Sequence, residues 1–271
     1  MKKLPDWYSP IRKVPLEYMG VKSNAWSVQI EHLTDKSEWQ ELGVVSDNYL
    51  LIDNTKVEEL INDIAAASGY QWEQDKIFWN GKQFMYSMVS RDASKNHSVD
   101  VDDDLGLGMM IWNSYDGSTA LQFKLYIQRL ACLNGMISND VFKSFRFKHD
   151  KNSANYEDEI MEAVKLIQGS DDKIRYVTKA LRYMLHEPLD IDKLSLIRND
   201  FLNKLPVSLF GNIVDKLLDY KPMEVLTTYD LLNAGTNVTW HKDKHTKSDF
   251  DHNAYIVDNL INYANKKYGV S

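Results

Sequence analysis

The chain has 271 residues, 44% of them hydrophobic and 26% charged, with a formal net charge of -7. That length supplies a sizeable core, and the acidic total argues against a protein that coats nucleic acid through its overall charge, while leaving room for a local basic groove. The single cysteine, Cys132, excludes an intramolecular disulfide and fits a reducing cytoplasm, and no stretch reaches the roughly 18 to 20 apolar residues of a membrane span. Met1-Lys2-Lys3 leads into Leu4-Pro5-Asp6-Trp7 without the apolar run of a signal peptide, so the expectation is a cytoplasmic protein without a membrane partner.

Residues 1–40 carry Pro5, Pro10 and Pro15 among Trp7, Tyr8, Tyr18, Trp26 and Trp39. They read as an extended arm with weak local structure, its aromatics docked on the domain or on a neighbouring subunit. Val44-Val45-Ser46 and Tyr49-Leu50-Leu51-Ile52 form a short strand region. Thr55 and Glu58 then have capping-box spacing, Val57, Leu60, Ile61 and Ile64 follow at helical spacing, and Gly69 supplies a left-handed stop. Asn80-Gly81 predicts a hairpin, with Phe84, Tyr86 and Met88 alternating after it. Asp116-Gly117 predicts a second, both residues being able to take positive φ. Beyond it, Leu121, Phe123, Leu125 and Ile127 alternate with Gln122, Lys124, Tyr126 and Gln128, a period of two that gives one buried and one polar face.

After Asn134-Gly135 the pattern changes. Residues 142–149 interleave aromatics with cations, residues 152–156 look like a linker, and helical periods dominate from there on. Helices are expected over the stripes Ile160 with Ile167, Ile174 with Leu185 (stopped by Pro188), and Leu194 with Leu205, then over 209–218, 223–233 and 250–268. The fold class is α+β: an N-terminal helix with an antiparallel meander, then a helical C-terminal subdomain. The expected division is an arm at 1–40, a core at 41–151 and a helical part at 152–271.

Between residues 140 and 151, Lys143, Arg146, Lys148 and Lys151 outnumber Asp140 and Asp150. Cations pair with phosphates and aromatic faces accept stacked bases, so Lys143, Phe145, Arg146, Lys148 and Lys151 are candidate nucleic-acid contacts, with Lys124 and Tyr126 extending the surface. The same alternation is also that of an ordinary half-buried strand. Asp100, Asp102, Asp103 and Asp104 offer carboxylates to Mg²⁺ or Ca²⁺ but lack an EF-hand pattern, and read more simply as a solvated loop capping a strand edge. His241 and His245 have H-x3-H spacing without apolar periodicity around them, which favours a polar loop before a helix that Ser248 and Asp251 cap. Arg129 follows the apolar face of its strand, so it lies at the strand end or is paired with a carboxylate. Cys132 reads as a small buried residue. No serine elbow, dinucleotide fingerprint or Walker loop is present, so neither an enzyme nor a cofactor is expected.

Four pieces resemble the phage and plasmid-like family called domain of unknown function 932: Val44-Val45-Ser46-Asp47-Asn48-Tyr49, Asn113-Ser114-Tyr115-Asp116-Gly117-Ser118, Arg129-Leu130-Ala131-Cys132-Leu133-Asn134-Gly135 and Leu232-Asn233-Ala234-Gly235-Thr236. The last departs from the family's pattern at Gly235, where an apolar residue is expected. This resemblance implies a gene of a mobile element and brings no catalytic residues. The order of elements is also similar to the core of Redβ, RecT and Erf-type single-strand annealing proteins, which form rings or helices around single-stranded DNA; that likeness is an analogy of architecture. Together these suggest a homo-oligomeric protein that binds single-stranded DNA and promotes annealing or recombination without nucleotide hydrolysis. The alternatives are a protein-binding module, such as an inhibitor of a host defence enzyme, and, less favoured, a metal-dependent nuclease using the acidic cluster.

Overall fold

Tyr18 and Val21 face each other across Met19-Gly20, whose φ values of 50° and 75° match a two-residue primed turn. In the computed structural model this turn joins β1 (Ile11–Tyr18) to β2 (Val21–Glu31), and β2 pairs in turn with β3 (Trp39–Ser46) in an antiparallel sheet of order β1-β2-β3. The structure describes residues 8–31, 38–93, 97–147, 156–220, 225–242 and 246–269. Residues 11–31, expected as an arm with weak local structure, are therefore a hairpin. Pro15 is tolerated because β1 is an edge strand and the register shifts beside it. The helix-first order expected for the core gives way to a strand-first one.

The chain divides into two compact units. The first comprises the described parts of Met1–Met88, Met109–Lys124 and Ser144–Ile167. Its β-sheet core joins Val28, Ile30, Leu42 and Val45 to Tyr115, with Trp26, Tyr49 and Trp79 packed against them. Helix α1 (Asn54–Ser68) buries the expected Val57, Leu60, Ile61 and Ile64, and ends at Gly69 with φ 82°. Its cap is Asp53, which accepts from the Lys56 backbone N–H at 2.7 Å, rather than Thr55. Helix α2 (Tyr156–Gln168) closes this unit, which runs to Ile167.

A six-stranded sheet follows α1, of order β4-β5-β6-β7-β8 with β9 paired to β7. Its strands are β4 (Glu73–Trp79), β5 (Gln83–Ser90), β6 (Leu105–Ser114), β7 (Leu121–Arg129), β8 (Asn134–Ile137) and β9 (Phe145–Phe147). Both expected hairpins form. The β6–β7 loop spans six residues, however, and of its central pair only Gly117 takes positive φ. Ser114 closes this loop: its hydroxyl donates to the Thr119 carbonyl at 2.7 Å and accepts from the Thr119 N–H at 3.0 Å.

The second unit comprises the described parts of Val89–Gly108, Leu125–Lys143 and Gln168–Ser271. As expected, the C-terminal region is helical: α3 (Asp171–Leu185), α4 (Leu194–Phe201), α5 (Val207–Tyr220), α6 (Thr228–Trp240) and α7 (Lys247–Tyr268). Helix α6 starts later than expected because Thr227 and Asp230 form a capping box, and α7 starts at the equivalent Thr246–Asp249 box rather than at Ser248. Gly235 sits inside α6, where a Cβ would approach Ile256 of α7 to 3.0 Å, so its departure from the family pattern lets two helices pack closely.

The expected polar face of β7 is not solvated. Gln122, Tyr126 and Gln128 are all buried. In the second unit the Tyr126 ring lies over Gly108, where a Cβ would sit 2.2 Å from it, and meets Trp240 with ring centroids 5.0 Å apart. Trp240 in turn covers Gly135, where a Cβ would lie 2.4 Å from the indole. These glycines make room for aromatic rings.

Candidate functional site

Among the candidate nucleic-acid contacts, three belong to the first unit. β9 pairs with β7 so that Arg146 stands opposite Gln122 and Phe145 opposite Phe123. Since side chains alternate along a strand, Lys124 shares a face with Gln122 and hence with Arg146, one diagonal step away. Arg146 is exposed and Lys124 half-buried. Phe145 points the other way and stacks on Phe123, centroids 5.0 Å apart and planes inclined by 23°. Its ring is engaged with the sheet. Tyr126 is fully buried, which leaves its ring no face for a base and removes it from the candidate surface. Lys143 is exposed and belongs to the second unit, while Lys148 and Lys151 lie outside the described residues.

The four family-like pieces find one another in pairs. In the first unit, the Tyr49 hydroxyl donates to the Ser114 carbonyl at 2.7 Å, Asn113 Nδ2 donates to the Ile52 carbonyl at 2.8 Å, and the Tyr115 hydroxyl donates to Asn54 Oδ1 at 2.5 Å. Burial pushes both phenols above the ordinary tyrosine range, so they remain donors at neutral pH. In the second unit, Asn134 Nδ2 donates to the Asn233 carbonyl at 3.3 Å, and Asn134 Oδ1 accepts from Asn237 at 3.2 Å. His241 Nε2 lies 2.9 Å from the same Oδ1, so this imidazole serves the asparagine; His245 is outside the described residues.

The second unit also contains a cleft of about 400 Å³ at the end of β7. Arg129 reaches across it, its Nε donating to Asp103 Oδ1 at 2.6 Å, and Tyr229 donates its hydroxyl to Asp103 Oδ2 at 2.6 Å. The guanidinium lies 4.9 Å from the Tyr229 ring centroid. Burial, the largest single influence, would lower the Arg129 pKa; the bond to Asp103, together with the electrostatic pull of Tyr229, Cys132 and Asp103, outweighs it and holds the group above the usual guanidinium value. Burial likewise raises the Tyr229 phenol. Arg129 is thus both at the strand end and paired with a carboxylate.

Of the acidic cluster, Asp103 is buried, whereas Asp100, Asp102 and Asp104 are exposed. Backbone bonds from Asp103 N to Asp100 O and from Val99 N to Asp103 O tie the loop, and Asp102 turns it with φ 61°. No group of three His, Cys, Asp or Glu side chains is placed to hold a metal among the described residues. Cys132 is half-buried and lines the cleft, together with Asn233. Tyr229, separated from Asp103 by 126 residues, is a cleft residue that no local pattern marks.

A family model described as domain of unknown function (DUF932) matches residues 41–206, more than half of the chain. No curated protein and no solved structure matches it. Among the described residues no helix is long and apolar enough to cross a membrane.

Proposed function

This chain belongs to the DUF932 family, and we propose that it binds single-stranded DNA as a homo-oligomer and promotes annealing or recombination for a phage or plasmid in the host cytoplasm, without hydrolysing nucleotide. The observation that supports this reading best is the shared face of Lys124 and Arg146 on the β7–β9 pair; in the sequence the cations Lys148 and Lys151 follow Arg146. With Phe145 and Tyr126 engaged inside the protein, the contact is electrostatic, made to phosphates rather than by stacking on bases. Anisotropy of a fluorescent oligonucleotide, followed over a salt series, is the test. Binding at low ionic strength that weakens steadily as salt rises is the expected result; no binding at low ionic strength ends the proposal.

A second reading, a protein-binding module, draws on the tip of the β1–β2 hairpin. Tyr18, Met19 and Val21 are 74%, 85% and 70% exposed there. Three large apolar side chains at one turn suit a partner surface, for example on a host defence enzyme. A pull-down from nuclease-treated host lysate distinguishes the readings: a partner retained by the natural chain and lost on Tyr18→Ser/Met19→Ser favours this one.

A further inference from the structure

Helix α3 and the end of α7 meet in the second unit through tyrosines. Asn265 of α7 donates to the Tyr176 hydroxyl. Two turns further along α3 the Tyr183 ring stacks on Tyr268, centroids 4.9 Å apart and planes inclined by only 5°. Tyr268 is anchored, because its hydroxyl donates to Glu187, which also pairs with Lys267. Tyr183 nevertheless remains 37% exposed. A large ring that is backed by a fixed neighbour and still open to solvent is a flat, preorganised platform.

The helix places cations beside that platform. With 3.6 residues per turn, Arg175, Lys179, Arg182 and Tyr183 fall within about 100° of one another around α3, and all four are exposed. Their charges are not spent alike. Arg175 is paired with Asp171 at 2.6 Å and with Asp172 at 3.7 Å. Arg182 gives two N–H groups to the Ser98 carbonyl, a neutral acceptor, and so keeps its charge. Lys179 stands one turn before Tyr183 and meets no carboxylate among the described residues. Two cations with charge to spare thus lie next to an open aromatic ring, in a chain whose net charge is -7.

This combination discriminates among anionic partners. A nucleic-acid duplex satisfies the cations but offers Tyr183 nothing to stack on, since its bases are already stacked on one another; an anionic lipid headgroup has no base at all. A single strand supplies both contacts, phosphates for Lys179 and Arg182 and an unpaired base for the open side of Tyr183. We propose that Tyr183, with Lys179 and Arg182, is a stacking site for a base of a single-stranded nucleic acid. This inference rests on the single-stranded DNA reading and adds to it the base contact that the β7–β9 face does not provide.

Anisotropy of the full chain with fluorescent oligo(dT), an abasic strand of equal length and a duplex of equal length tests the site. The natural chain is expected to bind oligo(dT) about tenfold more tightly than the abasic strand, the order that one base stacked on an aromatic ring contributes. Tyr183→Leu, which keeps an apolar contact to Tyr268, is expected to erase that preference. Lys179→Gln, a change at an exposed position, is expected to lower the slope of log affinity against log salt by about 0.7. Both variants are expected to keep the circular dichroism spectrum of the natural chain. Retention of the tenfold preference in Tyr183→Leu overturns the proposal while the DNA reading stands. So does an unchanged slope in Lys179→Gln, or a natural chain that binds duplex or abasic strand as tightly as oligo(dT). A natural chain that binds no oligonucleotide at low ionic strength overturns both.

Discussion

Replacing Asp103 with Ala isolates the energetics of the second unit's cleft. The substitution strands the Arg129 guanidinium, whose side chain is 18% exposed, and leaves the Tyr229 hydroxyl without its acceptor. Breaking a buried pair from one side costs about 3–5 kcal/mol. The residual exposure of Arg129 puts this case near the lower end, while the lost tyrosine bond adds about 1 kcal/mol. A loss of about 3–4 kcal/mol corresponds to a fall in Tm of roughly 5–7 °C for a chain of this size. The reasoning makes a sharper demand of the double variant. Asp103→Ala/Arg129→Met removes the stranded charge as well and is expected to recover at least about half of the loss. Urea and thermal unfolding, followed by circular dichroism and tryptophan fluorescence, measure both. A loss below about 1 kcal/mol for Asp103→Ala, or no recovery in the double variant, refutes the account of a coupled Asp103–Arg129–Tyr229 cluster.

Gly108→Ala places a methyl group against the Tyr126 ring and is expected to destabilise by at least about 1–3 kcal/mol, read as a lower unfolding midpoint, because ring and strand have no room to part. Burial, with Glu162 and Asp158 nearby, pushes the Glu159 carboxyl up to about 7 from its ordinary 4.5. The folded state therefore holds a proton that the unfolded chain has released, so stability falls as pH rises from about 4.5 through 7. Glu159→Gln, which mimics the protonated form, is expected to unfold at the same midpoint as the natural chain at pH 4.5 and at a higher one at pH 8. Tyr18→Ser/Met19→Ser at the exposed hairpin tip is expected to shift stability by no more than about 0.5 kcal/mol in the same assay.

Local signals in the sequence were sufficient for the elements they govern. The stripe Val57, Leu60, Ile61 and Ile64 with Gly69 marks α1, and Asn80-Gly81 marks the β4–β5 hairpin. The β1–β2 hairpin escaped because Met19-Gly20 is a weak turn signal and three prolines suggest an arm; only pairing with β3 shows that Pro15 stands on an edge. Alternation in β7 spoke for a solvated polar face. It misled because Tyr126 is apolar enough to be buried when Gly108 and Trp240 make a place for it, and a period of two does not tell a polar face from a second buried one. The pairing of Arg129 was legible from its position after an apolar run. Its partners were not, since Asp103 and Tyr229 lie 26 and 126 residues from the atoms they meet in the cluster.

The most direct test of the single-stranded DNA reading is the salt dependence of oligonucleotide binding by Lys124→Gln/Arg146→Gln beside the natural chain. Each phosphate contact to a single strand contributes about 0.7 to the slope of log affinity against log salt. Loss of both contacts is expected to weaken binding at low salt and to reduce that slope by about 1.4. An unchanged affinity and slope in the double variant would contradict the assignment of the β7–β9 face as the DNA contact.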